Sequence, residues 1–220
     1  MSMKISVLQP TIERGNISKN TTIIQRLVNN ATGELLVLAE YALTGSLVLE
    51  RDVNIQNWIA TCEIEINSLL IPDGKKLMIN SLIIKDKKIY NACTTLPSKE
   101  ISQVKKNLDI QEIEAGICPG NEVSMLQIND KKVVIVICSD LQIIDKISTA
   151  GADFILFIFH FTPSNYENVM EELISASKAR RIPIIAASLV SDKNYGHSCY
   201  INGTTVVSLG NEEGILEITL

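Results

Sequence analysis

Long apolar runs and clusters of basic residues are both missing from this chain of 220 residues. No apolar run approaches the roughly 18 to 20 residues that a membrane-spanning helix needs, and the first residues lack the basic and apolar segments of a secretion signal. The 20 Lys and Arg are spread among 25 Asp and Glu, which gives a net charge of -5 and no basic stripe for phosphate groups. We therefore expect a cytoplasmic protein that binds neither nucleic acid nor a membrane.

Cysteine, histidine and glycine are too few or too scattered to form several common kinds of site. The five cysteines are odd in number and form no C-x-x-C pair, which argues against a disulfide framework or a zinc knuckle. The histidines are only two, His160 and His197, and no other ligands cluster with them, so no metal site is predicted. No G-x-G-x-x-G follows the first apolar segment, which argues against a dinucleotide-binding domain.

Apolar residues make up 46% of the chain, enough to bury the core of one ordinary domain spanning 1–220. Short runs rich in β-branched residues predict strands, and the continuously apolar ones indicate strands covered on both faces by helices. The predicted strands are Lys4 to Leu8, Leu35 to Leu38, Leu77 to Ile84, Ile89 to Leu96, Val133 to Cys138, Phe154 to Phe159, Pro183 to Ser188, Cys199 to Ile201, Thr205 to Leu209 and Ile215 to Thr219.

Helical periodicity lies between some of these strands. It predicts helices over Thr21 to Ala31, over Asn165 to Arg181 with Ser164 as N-cap, and over a shorter segment from Leu141 to Ala150. The stretch from Ser46 to Ile71 is less regular and predicts one amphipathic helix. The chain is thus α/β first and ends in β-hairpins.

Three segments place reactive side chains at or near the ends of apolar strands, where α/β sheets present functional groups. Glu40 follows the strand at Leu35, Lys105 precedes a Pro119-Gly120 pair, and Cys138 closes the most apolar strand. Taken singly, each has a structural explanation: a solvated strand end, an exposed lysine face or a small buried hydrophobe. Their combination in one chain favours a shared chemical role.

The combination resembles the nitrilase-like carbon-nitrogen hydrolases over nearly the whole chain. Leu38-Ala39-Glu40-Tyr41 with Thr44-Gly45 is similar to the block around that family's base, and Ile137-Cys138-Ser139-Asp140 is similar to the nucleophile block. Lys105, with Leu108 at the third following position and Glu112 beyond, is similar to the lysine block, whereas the adjacent Lys106 breaks this spacing. The segments at Tyr90-Asn91, Gly151-Ala152-Asp153 and Asn202-Gly203 resemble supporting blocks in the same order.

The resemblance implies a four-layer α-β-β-α sandwich, with two mixed sheets face to face and helices outside, and a homodimer or higher homo-oligomer. It implies Cys138 as nucleophile, Glu40 as base, Lys105 as oxyanion partner and Glu112 as a second glutamate that orients the lysine or the substrate. Tyr41, Ser139 and His160 are the candidate substrate-binding residues; a hydrogen-bonded structural role for His160 is an equal alternative. We expect desolvation to raise the pKa of Glu40 toward that of the thiol.

The implied activity is hydrolysis of a small carboxamide or N-carbamoyl compound through a Cys138 thioester, with no cofactor. Departures from the family pattern keep alternatives open, because Ser139 stands where an aromatic residue is usual and Gln142-Ile143-Ile144 replaces Arg-Phe-Pro. One alternative is acyl transfer to an acceptor other than water. Another is a binding or regulatory protein that keeps the fold with impaired catalysis. The substrate itself is not indicated by the sequence.

Overall fold

Two six-stranded sheets dominate the computed structural model, which describes residues 2–46 and 54–220. The first sheet runs in the order β12 (Gly214–Thr219), β1 (Lys4–Gln9), β2 (Leu35–Val37), β3 (Lys76–Lys85), β4 (Lys88–Leu96) and β5 (Glu100–Val104). Its three strands β1, β2 and β3 are parallel, and the other neighbours pair antiparallel. The sheet is therefore mixed, with a parallel centre.

The second sheet repeats this arrangement. It runs in the order β11 (Thr205–Ser208), β10 (Cys199–Asn202), β9 (Ile184–Ala187), β8 (Phe154–Ile158), β7 (Lys131–Ile137) and β6 (Met125–Ile128). Here β7, β8 and β9 are parallel, and the remaining pairs are antiparallel. The helices are α1 (Ile17–Asn30), α2 (Ile55–Ser68), the one-turn α3 (Ile110–Glu114) and α4 (Tyr166–Arg180), with a 3-10 helix at Cys138–Lys146.

Alternation along the buried strands assigns each apolar side chain to one of three cores. In β7, Val133 and Ile135 face the first sheet, while Val134 and Val136 face the other way and join the core beneath α4. Residues of β2 divide likewise between the central core and the core beneath α1 and α2. Three cores separate four layers, so the predicted α-β-β-α sandwich is confirmed.

Several boundaries differ from the sequence predictions. The segment predicted as a helix from Leu141 forms the 3-10 helix that begins at Cys138, and α4 has Asn165 rather than Ser164 at its N-cap position. The helix predicted between Ser46 and Ile71 is α2; residues 47–53 of that prediction lie outside the described residues. Strands β5 and β6 and helix α3 were not predicted. In the described part of the chain, no helix is long and apolar enough to cross a membrane.

Candidate active site

Glu40, Lys105 and Cys138 all lie just beyond the end of a strand. Glu40 is three residues past β2 and Lys105 directly follows β5, both in the first sheet, whereas Cys138 directly follows β7 in the second. Since the two sheets face each other, these strand ends bring the three side chains into one cluster. The Lys105 ammonium bonds Glu40, and the charges of both act on the Cys138 thiol.

Lys105 is the centre of the cluster and is almost completely buried, with 1% of its side chain exposed. Its Nζ lies 3.0 Å from Glu40 Oε1 and 2.8 Å from Glu112 Oε2. Asp109 Oδ2 lies 3.8 Å away, beyond hydrogen-bonding distance. Burial acts to lower the pKa of Lys105, but the charges of Glu40 and Glu112 act against it and the pKa is raised, so the ammonium stays charged. Within residues 2–46 and 54–220, these two carboxylate oxygens engage two of its three N–H groups.

Asn91 of β4 fixes the two glutamates relative to each other. Its Nδ2 lies 2.8 Å from Glu40 Oε1, 2.8 Å from Glu112 Oε1 and 2.9 Å from the Tyr41 hydroxyl oxygen, and its two N–H groups are shared among these three acceptors. The Asn91 Oδ1 accepts from Asn80 Nδ2 of β3 at 2.6 Å. Because Asn80 Oδ1 in turn accepts from the Tyr41 amide, the chain of bonds determines which way both amides point. The carboxylates of Glu40 and Glu112 therefore face a donor, Asn91 Nδ2, whose orientation is fixed.

The pKa of Glu40 is lowered, which corrects the expectation that desolvation would raise it. Burial does act in that direction, but the charge of Lys105 opposes it, together with the hydrogen bonds from Asn91 and Lys105. The pKa of Glu112 is raised, chiefly by burial and the nearby charge of Glu40. At rest the cluster thus holds an ionised Glu40 bonded to a charged lysine.

Cys138 keeps its proton in this resting state. Burial raises the pKa of the thiol well above its usual value, the charge of Glu40 raises it further, and Lys105 opposes both. The residue has a φ of +47°, a backbone conformation that non-glycine residues adopt mainly at special sites. This turn separates β7 from the 3-10 helix, and Cys138 as a whole residue is half-buried there.

Asp140 connects the segment that follows Lys105 to the turn at Cys138. Its Oδ1 accepts from the amides of Lys106 at 3.0 Å and Asn107 at 2.6 Å, and its Oδ2 accepts from the amide of Ile137 at 3.3 Å. Burial raises the pKa of Asp140 to about 6. Ser139 reinforces the junction, since its hydroxyl donates to the Asn107 carbonyl and its own carbonyl accepts from Asn107 Nδ2.

Gly120 supports Lys105 from the other side. Its amide donates to the Lys105 carbonyl at 2.7 Å. A Cβ at this position would lie 2.7 Å from the Val104 carbonyl oxygen, so only glycine permits this close approach. The Pro-Gly pair of the sequence motif therefore has a packing function next to the lysine.

Tyr41 and His160 lie beside the cluster, and the structure gives both of them protein partners. The Tyr41 hydroxyl donates to Glu112 Oε1 at 3.0 Å, and burial raises its pKa well above the usual range. His160 Nε2 contacts the backbone carbonyl of Glu40 at 2.5 Å, and its Nδ1 lies 3.1 Å from the Ser46 hydroxyl. Substrate binding by Tyr41, Ser139 and His160 stays a prediction.

Asn80, Asn91 and Ser46 were missed by the sequence predictions of site residues. Both asparagines carried a signal, because each interrupts an apolar strand and is fully buried there. A buried amide within a sheet must find hydrogen-bond partners, which indicates a polar cluster on that face. Ser46 carried no comparable signal.

The remaining cysteines lie apart from this chemistry. Burial raises the pKa of Cys62, Cys93 and Cys199 to about 12, and Cys118 is half-buried next to α3. Among the residues that the structure describes, no group of three or more His, Cys, Asp or Glu is arranged to hold a metal ion.

Comparisons with known proteins find likeness in structure rather than in sequence. No protein-family model matches the chain, and no curated protein sequence matches it. An amidase from Nesterenkonia sp. is 16% identical with a TM-score of 0.81, and the match covers 99% of this chain and 90% of the amidase. A CN-hydrolase superfamily protein from Xanthomonas campestris, which carries an arsenic adduct in its active site, is 15% identical with a TM-score of 0.77, covering 100% and 91%.

A third solved structure is larger. Glutamine-dependent NAD+ synthetase from Acinetobacter baumannii is 16% identical with a TM-score of 0.83; the match covers all of this chain but 45% of the synthetase. The chain therefore spans less than half the length of that protein.

The protein has the fold of the nitrilase-like carbon-nitrogen hydrolase superfamily, as its sequence motifs predicted. Because a shared fold does not fix the chemistry, the activity has to be argued from the site.

Proposed function

We propose that this protein hydrolyses a C–N bond of a small carboxamide or N-carbamoyl compound, with Cys138 as nucleophile, Glu40 as base and Lys105 as oxyanion partner. The observation that carries the proposal is the buried cluster itself, in which the Cys138 thiol lies against an ionised Glu40 that is bonded to a charged lysine. Burying these charges is costly, and no packing need explains it. A catalytic role does.

The two carboxylate oxygens of Glu40 have different surroundings, which supports the role of Glu40 as base. Lys105 and Asn91 both donate to Oε1, which leaves Oε2 as the oxygen available to the thiol proton. The lowered pKa of Glu40 and the raised pKa of Cys138 disfavour a free thiolate. Proton transfer is therefore expected to accompany attack on the substrate rather than precede it.

The first half-reaction forms a thioester. The sulfur of Cys138 bonds to the carbonyl carbon while its proton passes to Glu40, and the carbonyl electrons move to oxygen. The third N–H of Lys105 and the backbone N–H of Ser139 are the proposed donors to this oxyanion; loss of one such donor typically costs about 2.7 to 4 kcal/mol. The tetrahedral intermediate collapses as the C–N bond breaks and Glu40 returns the proton to the leaving ammonia or amine.

The second half-reaction consumes water. Glu40 takes a proton from water as its oxygen attacks the thioester carbon, and the C–S bond breaks with return of that proton to sulfur. The balance is amide plus water giving carboxylic acid plus ammonia or amine. An amine or alcohol in place of water would give acyl transfer by the same steps.

The direct test is ammonia release from a panel of small carboxamides and N-carbamoyl amines, with Cys138→Ala beside Cys118→Ala as the matched control. We expect release with the wild type and with the Cys118 variant, and none above background with the Cys138 variant. Acrylamide is a second probe, because it is found added to the active site cysteine in a mutant of the Nesterenkonia amidase. Intact mass should record one adduct that Cys138→Ala abolishes.

The alternatives give different results in the same assay. Product formation that depends on an added amine or alcohol would indicate an acyltransferase. Silence across the panel, with Cys138 no more reactive than Cys62, would count against the hydrolase and favour a binding protein.

A further inference from the structure

The peptide group between Glu40 and Tyr41 is held at both ends by side chains. Its carbonyl oxygen accepts from His160 Nε2 at 2.5 Å, and its N–H donates to Asn80 Oδ1 at 3.1 Å. Asn80 lies on β3 of the first sheet, whereas His160 lies two residues beyond β8 of the second. Side chains from both sheets therefore fix the position of the peptide group next to Glu40.

The partners of His160 determine its tautomer. A backbone carbonyl can only accept, so Nε2 carries the proton in the bond to Glu40. Nδ1 then presents a lone pair that accepts from the Ser46 hydroxyl at 3.1 Å. Burial lowers the pKa of His160, which agrees with this neutral form. Both ring nitrogens are thus occupied by protein atoms.

His160 is also well placed to set the distance between base and nucleophile. Strand β8 is the parallel neighbour of β7, with Ile158 paired to Ile137, the residue before Cys138. His160 therefore belongs to the same rigid sheet as the nucleophile but bonds to the base on the opposite sheet. Asp140 makes the equivalent tie for the lysine segment.

We propose that His160 is a positioning residue, which fixes the base Glu40 against the nucleophile Cys138 through its Nε2–H bond to the Glu40 carbonyl across the two sheets. The role depends on the proposed function only in taking Glu40 as the base. It replaces a substrate contact as the role for His160, because both ring nitrogens already have protein partners.

Two substitutions separate this role from general packing. His160→Gln places an amide N–H near the position of Nε2, whereas His160→Asn reaches only the position of Nδ1. We expect the Gln variant to keep kcat within about threefold and the Asn variant to lose about a hundredfold, with KM changing much less, because a displacement of about 1 Å can cost that much. His160→Met, which has the reach but no N–H, should behave like the Asn variant and substitutes for it if that variant does not fold.

Alkylation of Cys138 by iodoacetamide against pH supplies a readout that needs no turnover. Glu40 raises the pKa of the Cys138 thiol. If the Glu40 carboxylate is displaced from the thiol, alkylation should therefore begin at lower pH. The Asn and Met variants should show that shift, the Gln variant should overlay the wild type, and His197→Gln is the control for the other histidine. Circular dichroism establishes that each variant is folded.

Three results would overturn the positioning role: equal loss in the Gln and Asn variants, an alkylation profile that no His160 variant shifts, or a raised KM with unchanged kcat, which indicates a substrate contact. If the wild type itself releases ammonia from no amide, the proposed function fails. The alkylation profiles still decide whether His160 holds Glu40.

Discussion

At the scale of single residues, the cluster couples the protonation of Cys138 to the charge of Glu40. The thiol is neutral because burial and the Glu40 carboxylate raise its pKa, and the opposing charge of Lys105 does not outweigh them. In the proposed mechanism the same carboxylate accepts the thiol proton. Removing its charge should thus have opposite effects on thiol acidity and on turnover.

Glu40→Gln tests this coupling. The substitution removes a negative charge next to the sulfur, so the pKa of Cys138 should fall and iodoacetamide should alkylate it at lower pH than in the wild type. Ammonia release should nevertheless fall by about a hundredfold or more, since general-base catalysis contributes roughly that much. Glu167→Gln, at an exposed position on α4, is the control. An alkylation profile displaced to higher pH would contradict the coupling.

Substitutions of Lys105 and of its neighbour Lys106 can be compared for their effects on the free energy of unfolding. Lys105→Met leaves Glu40 and Glu112 buried without their cation, which should lower the free energy of unfolding by about 3 to 5 kcal/mol. Lys106 is exposed, so Lys106→Met should change it by less than about 0.5 kcal/mol. Urea unfolding at neutral pH measures both.

The pH dependence of the Lys105 variant has a definite sign. Without the ammonium, burial raises the folded-state pKa of both glutamates above the unfolded value, so the folded state binds more protons. The difference in free energy of unfolding between the wild type and Lys105→Met should therefore decrease as the pH falls through those raised pKa values. If this difference in stability increased toward acid pH, the Lys105 ammonium would not be compensating the charges of Glu40 and Glu112.

At the scale of helices and strands, alternation and turn chemistry explain what could be predicted. The β7 sequence is apolar on both faces. The predicted hairpin joins β10 and β11, but Asn202 ends β10 and pairs with Thr205, so its two-residue turn is Gly203-Thr204. Strands β5 and β6 escaped prediction because they are short and carry polar residues such as Gln103 and Gln127. Helix α3 was also missed, although Asp109 and Glu112 form a capping box whose spacing is visible in the sequence.

The Pro119-Gly120 segment gives a prediction about an element rather than a reactive group. Gly120→Ala would push its new methyl group against the Val104 carbonyl and displace the end of β5 that carries Lys105. Overpacking of this kind costs about 1 to 3 kcal/mol, and we expect kcat to fall with it. Gly210→Ala is the control, since a Cβ there meets nothing within 4 Å. Equal effects of the two substitutions on unfolding and kcat would refute the role of the close approach.

At the scale of the whole molecule, the resemblance predicted the sandwich and the components of the candidate cluster, but not the bonds that join the two sheets. Those bonds depend on side chains far apart in sequence, such as His160 with Glu40 and Gln9 with Ser198. Single buried polar residues predict that a partner exists without naming it. The geometry of the cluster therefore had to come from the fold.

Gln9 offers a test of how the sheets are held together away from the cluster. Its Oε1 accepts from the fully buried amide of Ser198 at 2.7 Å, and its Nε2 donates to the carbonyls of Gly210 and Glu212. The side chain thus connects β1 of the first sheet to the segments flanking β10 and β11 of the second. Three backbone groups depend on one amide.

Gln9→Leu keeps the approximate volume and removes all three bonds. The stranded Ser198 amide alone should lower the free energy of unfolding by about 1 to 3 kcal/mol. Its hydrogen exchange should accelerate while exchange in β7 and β8 is affected only through the global loss of stability. The same substitution at Gln127, exposed on β6, is the control and should be nearly neutral. Similar exchange of the Ser198 amide in both variants would mean that packing holds this segment. The hydrogen bond from the Ser198 N–H to Gln9 Oε1 would then contribute little to its protection.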